Sequence, residues 1–355
     1  MEVARPNQCD RVASATIQHS SSSSHPITRV KTVFHTTALV CALALTSACH
    51  RSTDIRSSLQ AAVQAPAGSP KVLAAYQPWF GNHNHMDVGY SSQDPKVLDE
   101  QIVKAKELGI SGFVVNWYGP RKPFEDKSYS LLQNAAAQDG FTTAIMYDED
   151  TDNPSSSTDA VVVDLQYAYD RYIGPHAVAS RSAYLRFNGR PVIFIFPKQG
   201  QTDWNQIRQM MNSWEDPPLL IMKDINTKFP NAFDGYYAWV QPGKDGWQRD
   251  GSNWGRDYLE NFYKQMTTEH PNKIAVGAAW PGFDDSKASW SRNRHMSDRC
   301  GKTFEESARL YRRFYSDERP LPFLMVVTWN DYEEGTAIER GMSRCGVPEA
   351  NSAGK

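Results

Sequence analysis

The chain has 355 residues, 40% of them hydrophobic, which is enough to bury the core of one large domain or two ordinary ones. Its formal net charge is −2, and neither a basic run nor an acidic tail is present, so the composition gives no sign of a nucleic-acid or strongly charged partner. Ten Trp, sixteen Tyr and fifteen Phe provide many flat apolar faces with polar rims, on which sugars bind.

The amino-terminal residues 1–48 have the pattern of a leader followed by an export signal. Arg29 and Lys31 precede the apolar stretch "TTALVCALALTSAC", which is shorter than the roughly 20 residues needed to span a bilayer. The small residues before Cys49 resemble a bacterial lipoprotein signal, although a Leu would be expected where Thr46 stands. The sequence therefore predicts a protein that is exported, with Cys49 lipidated at the cell envelope or with the chain secreted.

The region after this signal divides into a tether, a domain and a tail. Residues 49–70 have the Ser, Ala, Gly and Pro content of a flexible linker. We predict one catalytic domain over 71–345 and a short tail over 346–355. In an exported chain Cys300 and Cys345 could form a disulfide, and two free thiols are the alternative.

From Lys71 onward the chain repeats a short apolar β-rich run, a loop and a longer stretch of helical composition. One predicted helix begins at Pro95 and ends near Gly109, and others cover Asp159 to Ile173 and the residues from Lys302. The predicted strands begin at Val72, Ser111, Phe141, Arg190, Pro218, Phe233, Lys273 and Pro322.

Eight alternating strand and helix units in about 270 residues match the size of one closed (β/α)8 barrel, the TIM-barrel fold. Continuous apolar strands favour parallel pairing. A doubly wound open sheet is the alternative, but the first strand is followed by "YQPWFGNHNH" and not by a Gly-rich phosphate loop.

In such a barrel the reactive residues lie at the carboxyl ends of the strands and in the loops that follow them. Five Trp fall at these positions, which favours sugar stacking over simple packing. Glu149, Lys223 and Asp224 belong to the same rim. The predicted substrate-binding residues are Tyr76, Trp79, His83, His85, Asn116, Trp117, Tyr118, Tyr147, Asp148, Lys198, Trp239, Trp280, Trp329, Asn330 and Glu333.

Metal-dependent hydrolysis is one alternative for this rim. His83, His85 and Lys198 fit part of the pattern of amidohydrolase barrels. Such a site needs further His ligands after strands five and six, because zinc takes three or four N, O or S donors, and the sequence has none there. We therefore predict no metal and no other cofactor, and expect these His residues to hydrogen-bond substrate hydroxyls.

Paired carboxylates are the more abundant catalytic groups. Cleavage of a glycosidic bond needs one protonated carboxyl and one ionised carboxylate. Asp331 and Glu334 follow the apolar run "LPFLMVV" and are flanked by Trp329 and Tyr332. Unequal burial would separate their pKa values and assign the two roles. The alternative is an acidic loop that is simply solvated.

Five segments carry a family resemblance. They are "YQPWFG" from Tyr76, "GISGFVVNWYG" from Gly109, "AYLRFNGRPVIFIF" from Ala183, "FDGYYAW" from Phe233 and "TWNDYEEGTAIE" from Thr328. Together they resemble the group of glycoside hydrolase families 99 and 71, which are (β/α) barrel enzymes acting on α-linked mannose or α-1,3-glucan. The similarity extends from about Tyr76 to Glu339, and the last segment is the most specific. The resemblance implies a glycosidase.

The last segment also implies individual roles. Family 99 enzymes carry Asn-Glu-Trp-His-Glu-Gly where this chain has Asn330 to Gly335. The resemblance implies that Asp331 removes the substrate's 2-hydroxyl proton, forming an anhydro-sugar, and that Glu334 protonates the leaving group. Asp331 is one methylene shorter than the family 99 Glu, and Glu333 replaces its His. Both departures are closer to the family 71 pattern Trp-Asn-Asp-Tyr-Gly-Glu-Ser, whose enzymes invert the anomeric centre, so the role of Asp331 depends on the family.

The predicted function is hydrolysis of α-linked glycans, of α-mannan or α-1,3-glucan type, by Asp331 and Glu334. The expected partner is a polysaccharide or oligosaccharide, the membrane is contacted only through a lipid at Cys49, and the chain is expected to be a monomer that binds no nucleic acid. The alternative from another class is a surface lipoprotein that binds glycan without catalysis.

Overall fold

The computed structural model describes residue 59 and residues 69–149, 157–198 and 201–342. The predicted leader and signal, Cys49, most of the tether and the tail lie outside these residues. Cys300 is disulfide-bonded, whereas Cys345 lies outside the described residues. Among the helices of the described ranges, none has both the length and the apolar character needed to cross a lipid bilayer.

Eight parallel strands form a closed barrel in chain order. β1 pairs with β2 on one side and with β8 on the other, where Lys71 lies opposite Phe323, and β3 pairs with β4. This closure confirms the (β/α)8 prediction and is incompatible with the open-sheet alternative. The strands are β1 Lys71–Tyr76, β2 Gly112–Trp117, β3 Thr142–Asp148, β4 Arg190–Phe196, β5 Leu219–Lys223, β6 Gly235–Tyr237, β7 Ile274–Ala279 and β8 Phe323–Val326.

Helices connect most of the strands. The α-helices are α1 Pro95–Glu107, α2 Pro123–Asp139, α3 Ser157–Ala168, α4 Trp204–Asn212, α5 Arg256–Thr268 and α6 Lys302–Arg309. The last two predicted helices each change type, α3 continuing as the π-helix Tyr169–Ile173 and α6 as the 3₁₀ helix Leu310–Arg313. β5 and β6 are joined by residues 224–234, which contain no helix. Shorter elements are the 3₁₀ helices Ala179–Ala183 and Arg299–Gly301 and the two-residue strands Arg186–Phe187, Phe283–Asp284 and His295–Met296.

Helix α1 begins and ends where its sequence signals predict. The Asp94 side chain accepts a hydrogen bond from the Lys96 N–H at 3.0 Å, and Pro95 occupies the first turn, where no N–H is needed. After the last turn Gly109 has a φ of +84°, which a glycine adopts without steric cost. The buried face of α1 includes Leu98, Gln101 and Ile102 and packs towards the barrel.

Successive residues of a strand point to opposite sides, so each barrel strand contributes to two cores. On β2, Phe113 packs outside the barrel against Phe141, with ring centroids 4.9 Å apart. Phe194 of β4 and Tyr237 of β6 pack against each other across 5.7 Å, and both are fully buried. The barrel interior is therefore filled with side chains below the mouth, which leaves the site at the carboxyl ends.

A close backbone approach between two strands predicts a sensitive position. A Cβ on Gly235 of β6 would overlap the Ile274 carbonyl oxygen of β7, which cannot move without breaking the barrel pairing. We expect Gly235→Ala to lower the free energy of unfolding by about 1–3 kcal/mol, as overpacked cores do. Urea denaturation measures this change.

Gly189→Ala is the comparison variant. Gly189 has a positive φ, of +79°, but a Cβ there meets no atom within 4 Å. It should cost only about 1–2 kcal/mol for the left-handed backbone. Equal stability of the Gly235→Ala variant and the unmodified protein would contradict the close packing of β6 on β7.

Candidate active site

A cleft of about 1040 Å³ opens at the carboxyl ends of the barrel strands. Its walls come from the loops after β1, β2, β4, β6 and β7 and from the segment after β8. The predicted site residues that line it are Trp79, His83, His85, Asn116, Tyr118, Asp148, Lys198, Trp239, Asp331 and Glu334. The structure thus brings both predicted catalytic carboxyls into one cleft.

Three predicted residues at strand ends point away from the cleft. The Tyr76 hydroxyl donates to Gln101 of α1 at 2.9 Å, and the Tyr147 hydroxyl donates to Asp164 of α3 at 2.8 Å. Trp117 is likewise fully buried, on the helix side of β2. Each is one residue away from a side chain that does line the cleft, so the period of two along a strand places it on the opposite face.

The expected sugar-stacking role for five Trp therefore needs correction. Trp117, Trp280 and Trp329 have no exposed surface, and only Trp79 and Trp239 of that set line the cleft. The Trp280 indole N–H donates to a main-chain oxygen at 3.0 Å. These three large rings sit in the core because a barrel of this size needs bulky apolar side chains between its strands and helices.

The segment after β8 folds into a closed loop organised by Asp331. The Thr328 N–H donates to the Thr336 carbonyl at 3.0 Å, which ties the two ends of the loop together. Asp331 Oδ1 accepts from the backbone N–H of Glu333 at 3.1 Å and of Glu334 at 2.8 Å. The same carboxylate that is a catalytic candidate therefore fixes the backbone that carries Glu334.

Asn330 does not line the cleft, but it joins this loop to the end of β1. Its Oδ1 accepts from the Gln77 N–H at 2.7 Å, and its Nδ2 donates to the Gln77 carbonyl at 3.0 Å. The Gln77 side-chain amide in turn donates to Asp331 Oδ2 at 3.2 Å. Asn330 thus places Gln77 so that both oxygens of Asp331 accept hydrogen bonds.

Burial changes the acidity of both carboxyls. Burial and the charge of Glu334 raise the pKa of Asp331 well above its usual range, against the opposing effect of the backbone N–H groups it binds. Burial also raises the pKa of Glu334, while the Trp290 hydrogen bond and the positive charges of Arg294 and Lys223 oppose the rise. Such a pair keeps a bound proton at pH values at which free carboxyls are ionised.

Lys223 lies at the end of β5 in the wall of the cleft. Its ammonium lies 3.7 Å from the centre of the Phe196 ring, so an aromatic face replaces part of its hydration. Burial lowers the pKa of Lys223 to about 8, although the charges of Asp224, Asp148 and Glu334 oppose this.

Glu333 points away from the cleft and binds His85. The His85 Nδ1 lies 2.9 Å from Glu333 Oε2, and the Met86 N–H donates to Glu333 Oε1 at 3.1 Å. The His85 ring stacks on Trp79 at a centroid distance of 4.5 Å and an angle of 3°. Glu333 therefore orients the His85 ring, which lies in the loop after β1 and forms part of the cleft wall.

The opposite wall is built from the ends of β2, β3 and β4. Lys198 forms an ion pair with Asp148 at 2.6 Å and places its ammonium 5.4 Å from the centre of the Tyr118 ring. The Asn116 amide donates to the Tyr118 hydroxyl at 2.6 Å and to Asp148 at 3.2 Å. Glu149 is buried behind them and accepts from the Lys198 N–H at 3.0 Å.

Several lining residues escaped the sequence-based prediction. Gln77 could have been found from the period of two, since Tyr76 next to it faces outward. Trp290 and Arg294 lie in a long loop after β7 that carries no periodic signal. Within the described ranges, no group of three or more His, Cys, Asp or Glu is arranged to hold a metal ion.

The raised pKa of Glu334 predicts a pH-dependent stability change. The folded chain holds the Glu334 proton more tightly than the unfolded chain, so stability is greatest below the ordinary value of 4.5 and is lost as the pH rises through the folded pKa. Glu334→Gln removes this loss. We expect the variant and the unmodified protein to have similar Tm values at about pH 4, and the variant to have the higher Tm at about pH 8.

Glu100→Gln is the control, because Glu100 is exposed on α1 and pairs with Lys96 at 3.7 Å. It should leave the Tm difference near zero at every pH. Calorimetry across this pH range measures the effect, and a Glu334→Gln difference that does not grow with pH would contradict a raised pKa at this position.

Known proteins share this fold and part of this sequence. The sequence model of glycosyl hydrolase family 71 matches residues 83–343. The glycoprotein endo-alpha-1,2-mannosidase-like proteins of Mus musculus and Homo sapiens are each 22% identical over 310 residues, which cover 79% of this chain. The chain spans 65% and 64% of the length of these two relatives.

Solved structures show the same architecture. The family 99 endo-alpha-mannosidase of Bacteroides thetaiotaomicron, in complex with bis-tris-propane, superimposes with a TM-score of 0.58 at 19% identity, covering 77% of this chain and 87% of that chain. A glycoside hydrolase-like protein superimposes with a TM-score of 0.55 at 14% identity, covering 78% and 88%. At these identities the structural match supports the fold, while the match of the family model over most of the chain confirms the resemblance found in the motifs. The chain belongs to glycosyl hydrolase family 71.

Proposed function

We propose that this protein is a glycosidase that hydrolyses α-linked glycans, of α-mannan or α-1,3-glucan type, with Glu334 and Asp331 as its acid and base. The observation that carries the proposal is the placement of both carboxyls in one cleft, where each has a raised pKa. A pair of titratable groups with perturbed pKa values in a cleft is characteristic of acid–base catalysis. Membership of a glycosyl hydrolase family supports the same reaction.

The hydrogen bonds favour Asp331 as the base. Its two oxygens accept from three N–H groups, those of Glu333, Glu334 and the Gln77 side chain. An oxygen that already accepts such bonds is matched to the ionised carboxylate. Burial raises the pKa of Asp331 more strongly than that of Glu334, but these three N–H groups bind the ionised form of Asp331 directly, so they favour placing a shared proton on Glu334.

Glu334 is the better acid. Its Oε1 accepts a single hydrogen bond, from the Trp290 indole at 3.1 Å, and Oε2 receives none from the described residues. In the proposed reaction Glu334 gives its proton to the glycosidic oxygen as the bond from that oxygen to the anomeric carbon breaks. Asp331 takes a proton from the attacking water, or from the substrate's 2-hydroxyl if an anhydro-sugar forms first.

The remaining cleft groups suit a sugar. Trp79 and Trp239 supply apolar ring surface, and the polar wall around Asp148 and Lys198 supplies donors and acceptors for hydroxyls. Gln77 Oε1 and Asn116 Oδ1 are buried without a hydrogen-bond partner among the residues that the structure describes, although both residues line the cleft. An unpaired buried polar atom is costly, so a ligand hydroxyl that reaches it would be favoured.

Glu334→Gln tests the proposal directly. The variant keeps the shape of the side chain and cannot donate the acid proton, so we expect release of reducing ends from α-mannan or α-1,3-glucan to fall by about 10²–10⁴-fold. Binding of the same glycan, measured by calorimetry, should remain.

Glu260→Gln is the matched control, because Glu260 pairs with Arg313 on the surface at 2.9 Å and does not line the cleft. Full activity in Glu334→Gln would remove Glu334 as the acid. Glycan binding without turnover in the unmodified protein would instead favour the binding-protein alternative.

We further propose that the protein is exported and carries a lipid on Cys49, which lies outside the described residues. The support is the order of charged, apolar and small residues before Cys49. We expect Cys49→Ser to abolish incorporation of labelled fatty acid and to move the protein from the membrane fraction to the soluble fraction. Equal labelling of both proteins would argue against an anchor at this residue.

A further inference from the structure

Trp290 connects the loop after β7 with the proposed acid. Its indole Nε1 donates to Glu334 Oε1 at 3.1 Å, and its ring meets Trp79 edge-on at 5.9 Å and His85 at 6.2 Å. The side chain is 40% exposed and lines the cleft. A large aromatic side chain is therefore held at the cleft opening with its only polar atom on the carboxyl group.

The loop that carries Trp290 is anchored by a buried carboxylate. Asp285 is fully buried and accepts hydrogen bonds from the Arg294 backbone at 2.7 Å and side chain at 2.8 Å, the Arg292 backbone at 3.1 Å and the Ser291 hydroxyl at 3.2 Å. These hydrogen bonds join residue 285 to residues 291–294, and Trp290 lies between these two points in the sequence. A loop pinned in this way can hold the indole in one orientation.

A second contact ties the loop to the segment after β8. The Asp284 N–H donates to the Glu334 carbonyl oxygen at 2.8 Å, so the loop binds both the main chain and the side chain of Glu334. Removing one of these contacts leaves the other. Substitution of Trp290 should therefore remove the hydrogen bond to the Glu334 carboxyl group, while the contact from Asp284 still holds the Glu334 main chain in place.

We propose that Trp290 is a positioning residue that determines which oxygen of Glu334 carries the acidic proton. An indole N–H can only donate a hydrogen bond, and a carbonyl oxygen accepts one better than the hydroxyl oxygen of a carboxylic acid does, so the contact favours Oε1 as the carbonyl oxygen. The proton is then favoured on Oε2, which has no partner among the described residues and is the oxygen from which it is transferred. This inference rests on the proposed role of Glu334 as the acid.

Other charged groups also affect the pKa of Glu334, and their effects must be distinguished from that of Trp290. Asp331 lies on the same loop, Lys223 comes from the end of β5, and Arg294 and Asp285 come from the loop after β7. None of them changes when only the indole N–H is lost. Because that N–H lowers the pKa of Glu334, its removal should raise this pKa.

Trp290→Phe is the test variant, since it keeps an aromatic ring and removes the donor. We expect kcat on α-mannan or α-1,3-glucan to fall by about 10–100-fold with KM nearly unchanged, because proton transfer and not binding is impaired. The 2,4-dinitrophenyl glycoside of the same sugar needs no acid to release its leaving group. Hydrolysis of this dinitrophenyl glycoside should be nearly unaffected. The basic limb of the pH profile for cleavage of the glycan should move to higher pH.

Trp214→Phe is the matched control. The Trp214 indole donates to Gln166 at 2.9 Å and stacks on Tyr169, and Trp214 does not line the cleft. This variant also loses one indole hydrogen bond, so it should change stability to a similar degree while leaving the pH profile and the leaving-group dependence unchanged. A fall in both glycan and dinitrophenyl glycoside hydrolysis by Trp290→Phe would indicate general damage to the site and would overturn the proposal.

A measurement that needs no activity separates this inference from the proposed function. In protein labelled with ¹³C at the Glu carboxyl carbon, the Glu334 signal is identified by its loss in Glu334→Gln. Its titration should move to higher pH in Trp290→Phe and stay in place in Trp214→Phe. An unchanged titration in Trp290→Phe would refute the positioning role, whereas a shifted titration in a protein that cleaves no glycan would refute only the proposed function.

Discussion

The hydrogen bonds between Asn330 and the main chain of Gln77 hold the site together. They cross from the end of the last barrel strand to the end of the first, so they form only when the barrel is closed. Both partners are buried, and a buried amide or peptide group left unpaired costs about 1–3 kcal/mol. The loop carrying the acids is therefore fixed in register with β1, and the Gln77 side chain is presented to Asp331.

The Asp331 carboxylate has a structural role and, in the proposed mechanism, a catalytic role, and both depend on the same two oxygen atoms. Its carboxylate binds the N–H groups that shape the loop, and it faces the cleft beside Glu334. Burying two carboxyls together is unfavourable, as their raised pKa values express, and a structure selected only for stability would not retain them. The closed barrel tolerates this cost because its core supplies stability elsewhere. A buried pair of carboxyls in an otherwise apolar barrel is therefore consistent with the proposed acid–base role.

The alternation of side chains along each strand explains which of the predicted site residues line the cleft. Asn116 and Asp148 line it, while their neighbours Trp117 and Tyr147 point to the helices. This alternation is a local property of an extended chain, so the sequence alone is enough to apply it. The count of Trp at strand ends was less informative, because a barrel of this kind also needs large rings between strands and helices.

The sequence by itself determined the eight strands, their parallel order and the acidic segment after the last one, because apolar runs, turn residues and a contiguous motif are encoded locally. Only the tertiary structure decided that Glu333 binds His85 and that Trp290 binds Glu334. These contacts join residues 248 and 44 positions apart in loops without periodic patterns. Their geometry follows from barrel closure, which brings distant loops to one rim and which no single segment specifies.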